Sequence, residues 1–169
     1  MADINIKLLP RADESLVELV ELFFFAYRDF TADPDHILTE IGFGRAHHLV
    51  LHFVGRNPGM TVAELLDILK ITKQSLGRVL RELIEKGYIV QEEGSLDRRQ
   101  RLLYLTGRGE GLHQELMAPQ LTRFDRALAR SPSSEKPFRD MLLHMIDGEG
   151  REQLRTIQAR ARKRVKGDR

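Results

Sequence analysis

The stretch ITKQSLGRVLRELIEKGYIVQ, from Ile71 to Gln91, decides how this chain is read. Leu76, Val79, Leu80, Leu83 and Ile84 recur at helical spacing, while the opposite side holds Lys73, Gln74, Gly77, Arg78 and Arg81. Thr72 stands where a capping hydroxyl belongs, and Gly87 stands where a left-handed residue closes a helix ending at Lys86. The pattern then changes to two strand-like runs, YIVQEE (Tyr88 to Glu93) and QRLLYL (Gln100 to Leu105), around the polar turn GSLDRR (Gly94 to Arg99). An amphipathic helix running into a hairpin with a basic turn is the nucleus of the reading.

Working outward, Thr61-Val62-Ala63-Glu64 has the form of a capping box and opens a short helix with Val62, Leu65, Leu66 and Leu69 inward. Before it, Arg45 to Gly55 reads as a helix that is apolar at Ala46, Leu49, Val50, Leu51, Phe53 and Val54 and stops at Asn57-Pro58-Gly59. Its polar stripe is Arg45, His48, His52 and Arg56. Asp13 to Phe30 predicts a first helix with an apolar face broad enough for burial on two sides, and Pro34 breaks it within TADPDHIL (Thr31 to Leu38). After the hairpin, Thr106 caps a fifth helix to about Ala129, with Pro119 a kink or break. SPSSEKP (Ser131 to Pro137) reads as a linker, Phe138 to Ile146 as a sixth helix interrupted by Gly148 and Gly150, and the end of the chain as a basic helical arm.

The predicted class is mainly α with a small β-hairpin wing, a winged helix-turn-helix. A helix is about as wide as the major groove, and side chains on its first turns reach base edges there. Thr72, Lys73, Gln74, Ser75 and Arg78 lie at that end; Gln and Arg are the types that bond bidentately to adenine and guanine. Gly77 lacks a side chain that would hold the helix off the groove. Arg98 and Arg99 at the hairpin turn suit a narrow minor groove or phosphates, Arg101 a phosphate, and Asp97 the orientation of a neighbouring arginine.

Charge distribution agrees with a polyanionic partner. The chain of 169 residues has a formal net charge of only +2, but residues 151 to 169 carry eight basic residues and two acids, a net +6. Residues 70 to 101 are net +3 and everything else is −7. With 41% apolar residues the chain can build a real core, so disorder throughout is excluded. Zero cysteine removes disulfides, thiol nucleophiles, thiol redox sensing and cysteine-based zinc sites. No apolar run of bilayer length and no basic secretory start are present, which predicts a cytoplasmic protein without a membrane partner.

ITKQSLGRVLRELIEKGYIVQ followed by LDRRQRLLYLTGRG resembles the MarR family of bacterial regulators, whose wing signature falls here on Asp97, Arg99, Leu105, Thr106 and Gly109. The resemblance covers about residues 12 to 147. It implies a homodimer whose N- and C-terminal helices interlock, two winged domains about one helical turn of DNA apart, and a ligand cavity between domain and dimer interface. The chain departs from the pattern in the glycines at 107, 109 and 111, in Pro119 and in the basic arm after Gly150. The organisation expected is an N-terminal arm (1–12), an N-terminal dimerisation helix and connection (13–44), a winged helix-turn-helix domain (45–105), C-terminal dimerisation helices (106–147) and a basic C-terminal arm (148–169).

Function is then expected to be sequence-specific duplex binding by a homodimeric repressor on a palindromic operator, relieved by a small aromatic or amphipathic effector. Phe24, Tyr27, Phe43, His47 and His48 are the candidate effector residues, although such aromatics also serve as plain core. The alternative is a winged module for protein interaction or assembly that reads no sequence. His48 and His52, one helical turn apart, raise a metal site with His113 or Glu110; a hydrogen-bonded polar stripe explains them as well, and no metal or cofactor is expected. No nucleophile, base and orienting acid cluster in the sequence, and no phosphate-cradling glycine loop occurs, so an enzyme is not expected. The basic arm has three readings: a solvated helix, a strap over phosphates, or a dimer contact through Leu154, Ile157, Ala161 and Val165.

Overall fold

A computed structural model describes residues 14–94 and 99–167. Among these, seven helices and three short strands follow in the order α1 (Glu14–Glu40), α2 (Arg45–Arg56), β1 (Met60–Thr61), α3 (Val62–Leu69), α4 (Lys73–Glu85), β2 (Ile89–Glu93), β3 (Arg101–Leu105), α5 (Gly107–Arg130), α6 (Glu135–Met145) and α7 (Gly148–Gly167). The strands form one antiparallel sheet in the order β1-β3-β2, with Met60 opposite Leu103, Ile89 opposite Leu105 and Glu93 opposite Arg101.

The core lies where α2, α3, α4 and the sheet converge on the first half of α5. Val50, Leu51 and Val54 of α2, Leu65 of α3, Leu76 and Leu83 of α4, Ile89, Leu103 and Leu116 are fully buried. Each such aliphatic side chain contributes about 1.5–3 kcal/mol by leaving water. The local signals hold: the Glu64 amide donates to Thr61 Oγ1 at 3.2 Å and the Thr61 amide donates to Glu64 Oε2 at 2.8 Å. Thr72 accepts from the Ser75 amide at 3.1 Å, and Gly87 has φ +73°.

Pro34 was expected to break its helix and Pro119 to kink or break another, and both helices continue through them. α1 continues through Pro34 to Glu40. A proline at 34 deprives the Phe30 carbonyl of its usual donor, and the side chain of Gln120, buried on α5, donates to that carbonyl at 3.4 Å. α5 likewise runs unbroken past Pro119. The expected linker 131–137 shrinks to a 3-10 turn at Pro132–Ser134, because α6 begins at Glu135. Pro137 falls in its first turn, where amides have no helical partner to lose. Gly148 and Gly150 do not interrupt the sixth helix either: the break is at extended Ile146, and both glycines belong to the first turn of α7.

Two further differences bear on function. Strand β1 was not predicted; it is two residues long and exists because Met60 and Thr61 line up against β3, with the Gly59 amide donating to the Leu103 carbonyl at 2.9 Å. The first half of α1 was expected to be buried on two sides, yet Leu16, Leu19, Val20, Leu22, Phe23, Phe24, Phe25 and Tyr27 are all exposed in the single chain. Burial on α1 is confined to Thr31, Pro34 and Leu38, near the winged core.

Candidate DNA-binding surface

α4 is held by its apolar side alone. Leu76, Val79, Leu80 and Leu83 are buried, which fixes the rotation of the helix and turns Lys73, Gln74, Gly77, Arg78 and Arg81 outward. Among the described residues, no hydrogen bond or ion pair engages the side chains of Lys73, Gln74 or Arg78. Thr72 and Ser75 differ: Thr72 caps the helix and its hydroxyl donates to Ser75 Oγ at 2.9 Å, so these two shape the helix start. Among the described residues, no heavy atom beyond the helix itself lies within 4 Å of where a Gly77 Cβ would stand.

The hairpin follows α4, and its first strand packs against that helix. Asp97 and Arg98 lie outside the described residues. Arg99 is exposed at the turn, and Arg101 pairs across the hairpin with Glu93 at 2.9 Å. That pair is solvated on both sides and worth about 1 kcal/mol or less, so it competes weakly with a phosphate. The hairpin is tied to α5 by Thr106, whose amide donates to the Tyr88 carbonyl at 3.1 Å and whose hydroxyl donates to the Gly87 carbonyl at 2.7 Å. Thr106 Oγ1 also accepts from the Gly109 amide at 3.0 Å. Gly109 is needed here because a Cβ on it would sit 2.0 Å from the Tyr88 carbonyl oxygen.

The five candidate effector residues divide. Phe43 and His47 are buried and stacked at 4.3 Å, with Tyr88 edge-on to Phe43 and the Lys86 ammonium over its ring. His47 Nδ1 accepts from the Gly44 amide at 3.1 Å, so Nε2 carries the proton and donates to Glu82 of α4 at 2.8 Å. Tyr27 is exposed on α1 under the Arg45 guanidinium, which pairs with Asp35, and Phe24 is exposed farther along α1. His48 is buried, and burial first, then the neighbouring His113 charge, lowers its pKa. None of the five lines either of two grooves: one of about 540 Å³ between Asp33 and the arginines 123, 126 and 130, and one of about 430 Å³ between α3 and α7.

The other histidines join α2 to α5. His52 Nδ1 and His113 Nε2 lie 3.3 Å apart, one donating to the other. Burial pushes the His52 pKa down to about 4, reinforced by His113, His48 and Arg56. His113 is lowered too, by burial and then Arg56. Among the described residues no three metal-ligating side chains converge. Sequence reading missed the His47–Glu82 contact, since 35 residues separate the partners, and it missed the docking of α7 on α3. No helix among the described residues is long and apolar enough to cross a membrane.

A helix-turn-helix backed by a three-stranded wing, with an unengaged Lys/Gln/Arg face on its second helix, defines a winged helix-turn-helix DNA-binding protein. The MarR family model matches residues 41–100. The HTH-type transcriptional regulator PetP of Rhodobacter capsulatus is 47% identical over 141 residues, spanning 83% of this chain and 85% of that protein. The chain belongs to the MarR family of transcriptional regulators. The fold is shared with Streptococcus pneumoniae FabT, solved in complex with DNA (TM-score 0.58, 20% identity, 77% of this chain and 92% of that one). It is shared also with Staphylococcus aureus MarR, solved with salicylate and kanamycin (TM-score 0.61, 23% identity, 79% and 90%).

Proposed function

We propose that this regulator is a cytoplasmic homodimeric repressor that binds a palindromic operator and is relieved by a small aromatic or amphipathic molecule. The observation that carries the reading is the outward face of α4. Lys73, Gln74 and Arg78 are exposed on a helix whose opposite side is buried, which suits insertion in the major groove. Thr72 and Ser75 shape the helix start; Arg99 and Arg101, and from the sequence pattern Asp97 and Arg98, are the wing residues assigned to the minor groove or phosphates.

Dimerisation is supported by the apolar surface that one chain leaves in water. Leu19, Phe23 and Phe24 of α1, Leu121 and Phe124 of α5, and Phe138, Met141 and Met145 of α6 are each exposed on the helices outside the winged core, and Phe124 touches Phe30 of α1 and Phe138 of α6. Contiguous apolar patches are rare on monomers. Effector relief is supported by the link from Phe43 and His47 to Glu82: a molecule that displaces this stack acts directly on α4. The salicylate complex of Staphylococcus aureus MarR makes salicylate the first molecule to try.

Selection of bound fragments from a random duplex pool tests the reading. Enrichment of an inverted repeat with half-sites about one helical turn apart is the expected result. Retention of duplex without any enriched sequence would remove base reading by α4, and no duplex retention would favour an assembly module.

A further inference from the structure

α7 lies along α3, the first helix of the helix-turn-helix, and runs antiparallel to it. At the C-terminal end of α3, Lys70 Nζ reaches Glu149 at 2.5 Å as well as Asp67 at 3.1 Å. One turn back, Gln153 Nε2 donates to Asp67 Oδ2 at 2.7 Å, and near the start of α3 Arg160 pairs with Glu64 at 2.7 Å. Of the apolar residues read as a dimer contact, Ala161 is buried and Leu154 and Ile157 are half-buried within the chain, and the Val165 side chain lies outside the described ones. This weakens the reading of those residues as a dimer contact. It also leaves the other side of the helix with a defined orientation.

That other side is basic. Arg151, Arg155 and Arg162, at i, i+4 and i+11, share a stripe opposite Glu149, Gln153 and Arg160. They span about 16 Å at 1.5 Å per residue, roughly half a turn of duplex. Two carboxylates of the helix are held: Glu149 by Lys70, and Glu152 loosely by Arg155 at 3.5 Å, while Asp147, one turn before Arg151, leaves the N-terminal end of the stripe less basic. In helix-turn-helix docking the second helix enters the groove while the first crosses the phosphate backbone. A helix clamped to α3 is therefore carried to the backbone whenever α4 enters the groove.

We propose that α7, clamped along α3 by the Lys70–Glu149, Asp67–Gln153 and Glu64–Arg160 contacts, is a second DNA-binding element whose Arg151, Arg155 and Arg162 engage duplex phosphates flanking the groove read by α4. The inference rests on duplex binding by α4 and extends it. The contacts carry no sequence information; they add affinity and salt dependence equally on any duplex.

The test measures binding of the full chain to random duplex and to its selected site across salt concentrations. Arg151→Gln/Arg155→Gln/Arg162→Gln should lower the slope of log K against log salt by about 1 for each phosphate left without its arginine, by the same amount on both duplexes. A second variant, Glu149→Gln/Gln153→Ala, keeps all three arginines and makes the protein more positive, so simple charge predicts tighter binding. Loss of the clamp predicts a smaller slope. Circular dichroism matching the parent confirms that both variants fold. An unchanged slope in the triple variant, or tighter binding as if α7 blocked the duplex, overturns the inference while leaving α4 in place. A parent chain that binds no duplex overturns the reading of α4 itself.

Discussion

α4 and α7 are both basic helices, yet the protein holds them by different means. α4 is anchored through four buried aliphatic side chains and meets the rest of the chain along its whole length. α7 is anchored mainly by exposed polar contacts to one short helix, with only Ala161 buried among its described side chains. Burial is non-directional but large, whereas exposed ion pairs are directional and each worth about 1 kcal/mol or less. α4 thus has one position in the fold, and α7 is a docked element held by weaker contacts.

The largest effect that would break this contrast comes from Leu83, which is fully buried under α4. Leu83→Ala should cost about 2–5 kcal/mol in urea unfolding, through the forfeited transfer energy plus the cavity left behind. A cost near zero would mean that α4 is not fixed by its core. Acid separates the two anchors next. His52 is neutral in the fold with a pKa of about 4 against 6.5 for the free side chain, so its contribution is fully present above about pH 6.5 and lost as pH falls towards 4. That shift corresponds to about 3 kcal/mol of core stability. Partial burial raises the Glu64 carboxyl, but the Thr61 amide and Arg160 outweigh it and hold it below its ordinary value, and Lys70 and Gln153 lower Asp67, so both resist protonation more than free carboxylates do. Urea midpoints that do not change between pH 7 and pH 4.5 would count against the His52–His113 contact as a buried neutral pair.

Gly109→Ala should cost about 1–3 kcal/mol, because the new Cβ must move away from the Tyr88 carbonyl at the join of wing and α5. Thermal melts that match the parent would show that the join yields freely. Gly77→Ala should stabilise the free protein by about 0.5–1 kcal/mol, since a methyl there meets nothing and helix propensity rises. The same variant should bind its duplex more weakly if Gly77 faces the groove; unchanged affinity would move the groove contact to another part of α4. The smallest effect is expected at Gln153→Ala, about 0.5 kcal/mol or less in unfolding, because its contact with Asp67 is exposed. A larger loss would make α7 part of the core and erase the contrast.

The elements of the winged domain were legible because their signals are local. Thr61 with Glu64, Thr72 with Ser75, and Gly87 each act within four residues, and the buried faces of α2 and α4 follow the helical period. The helix ends misread at Pro34 and Pro137 have non-local or positional remedies. Gln120 lies 90 residues from the Phe30 carbonyl it satisfies, and no rule of spacing connects them. Lys73, Gln74 and Arg78 were identified as the outward face of α4 from sequence spacing alone, but the coupling of that helix to Phe43 and His47 through Glu82 was invisible until the chain was folded.

From sequence alone came the class of the protein, the order of its winged elements and the residues that face outward on α4. Those follow from capping chemistry, hydrophobic period and a family signature, all of which act over a few residues. Only the tertiary structure decided that α1 runs through Pro34, that β1 completes the sheet, and that α7 lies against α3 from Glu149 to Arg160. These depend on partners brought together from distant parts of the chain, and periodicity carries no information about which surface a polar helix will meet.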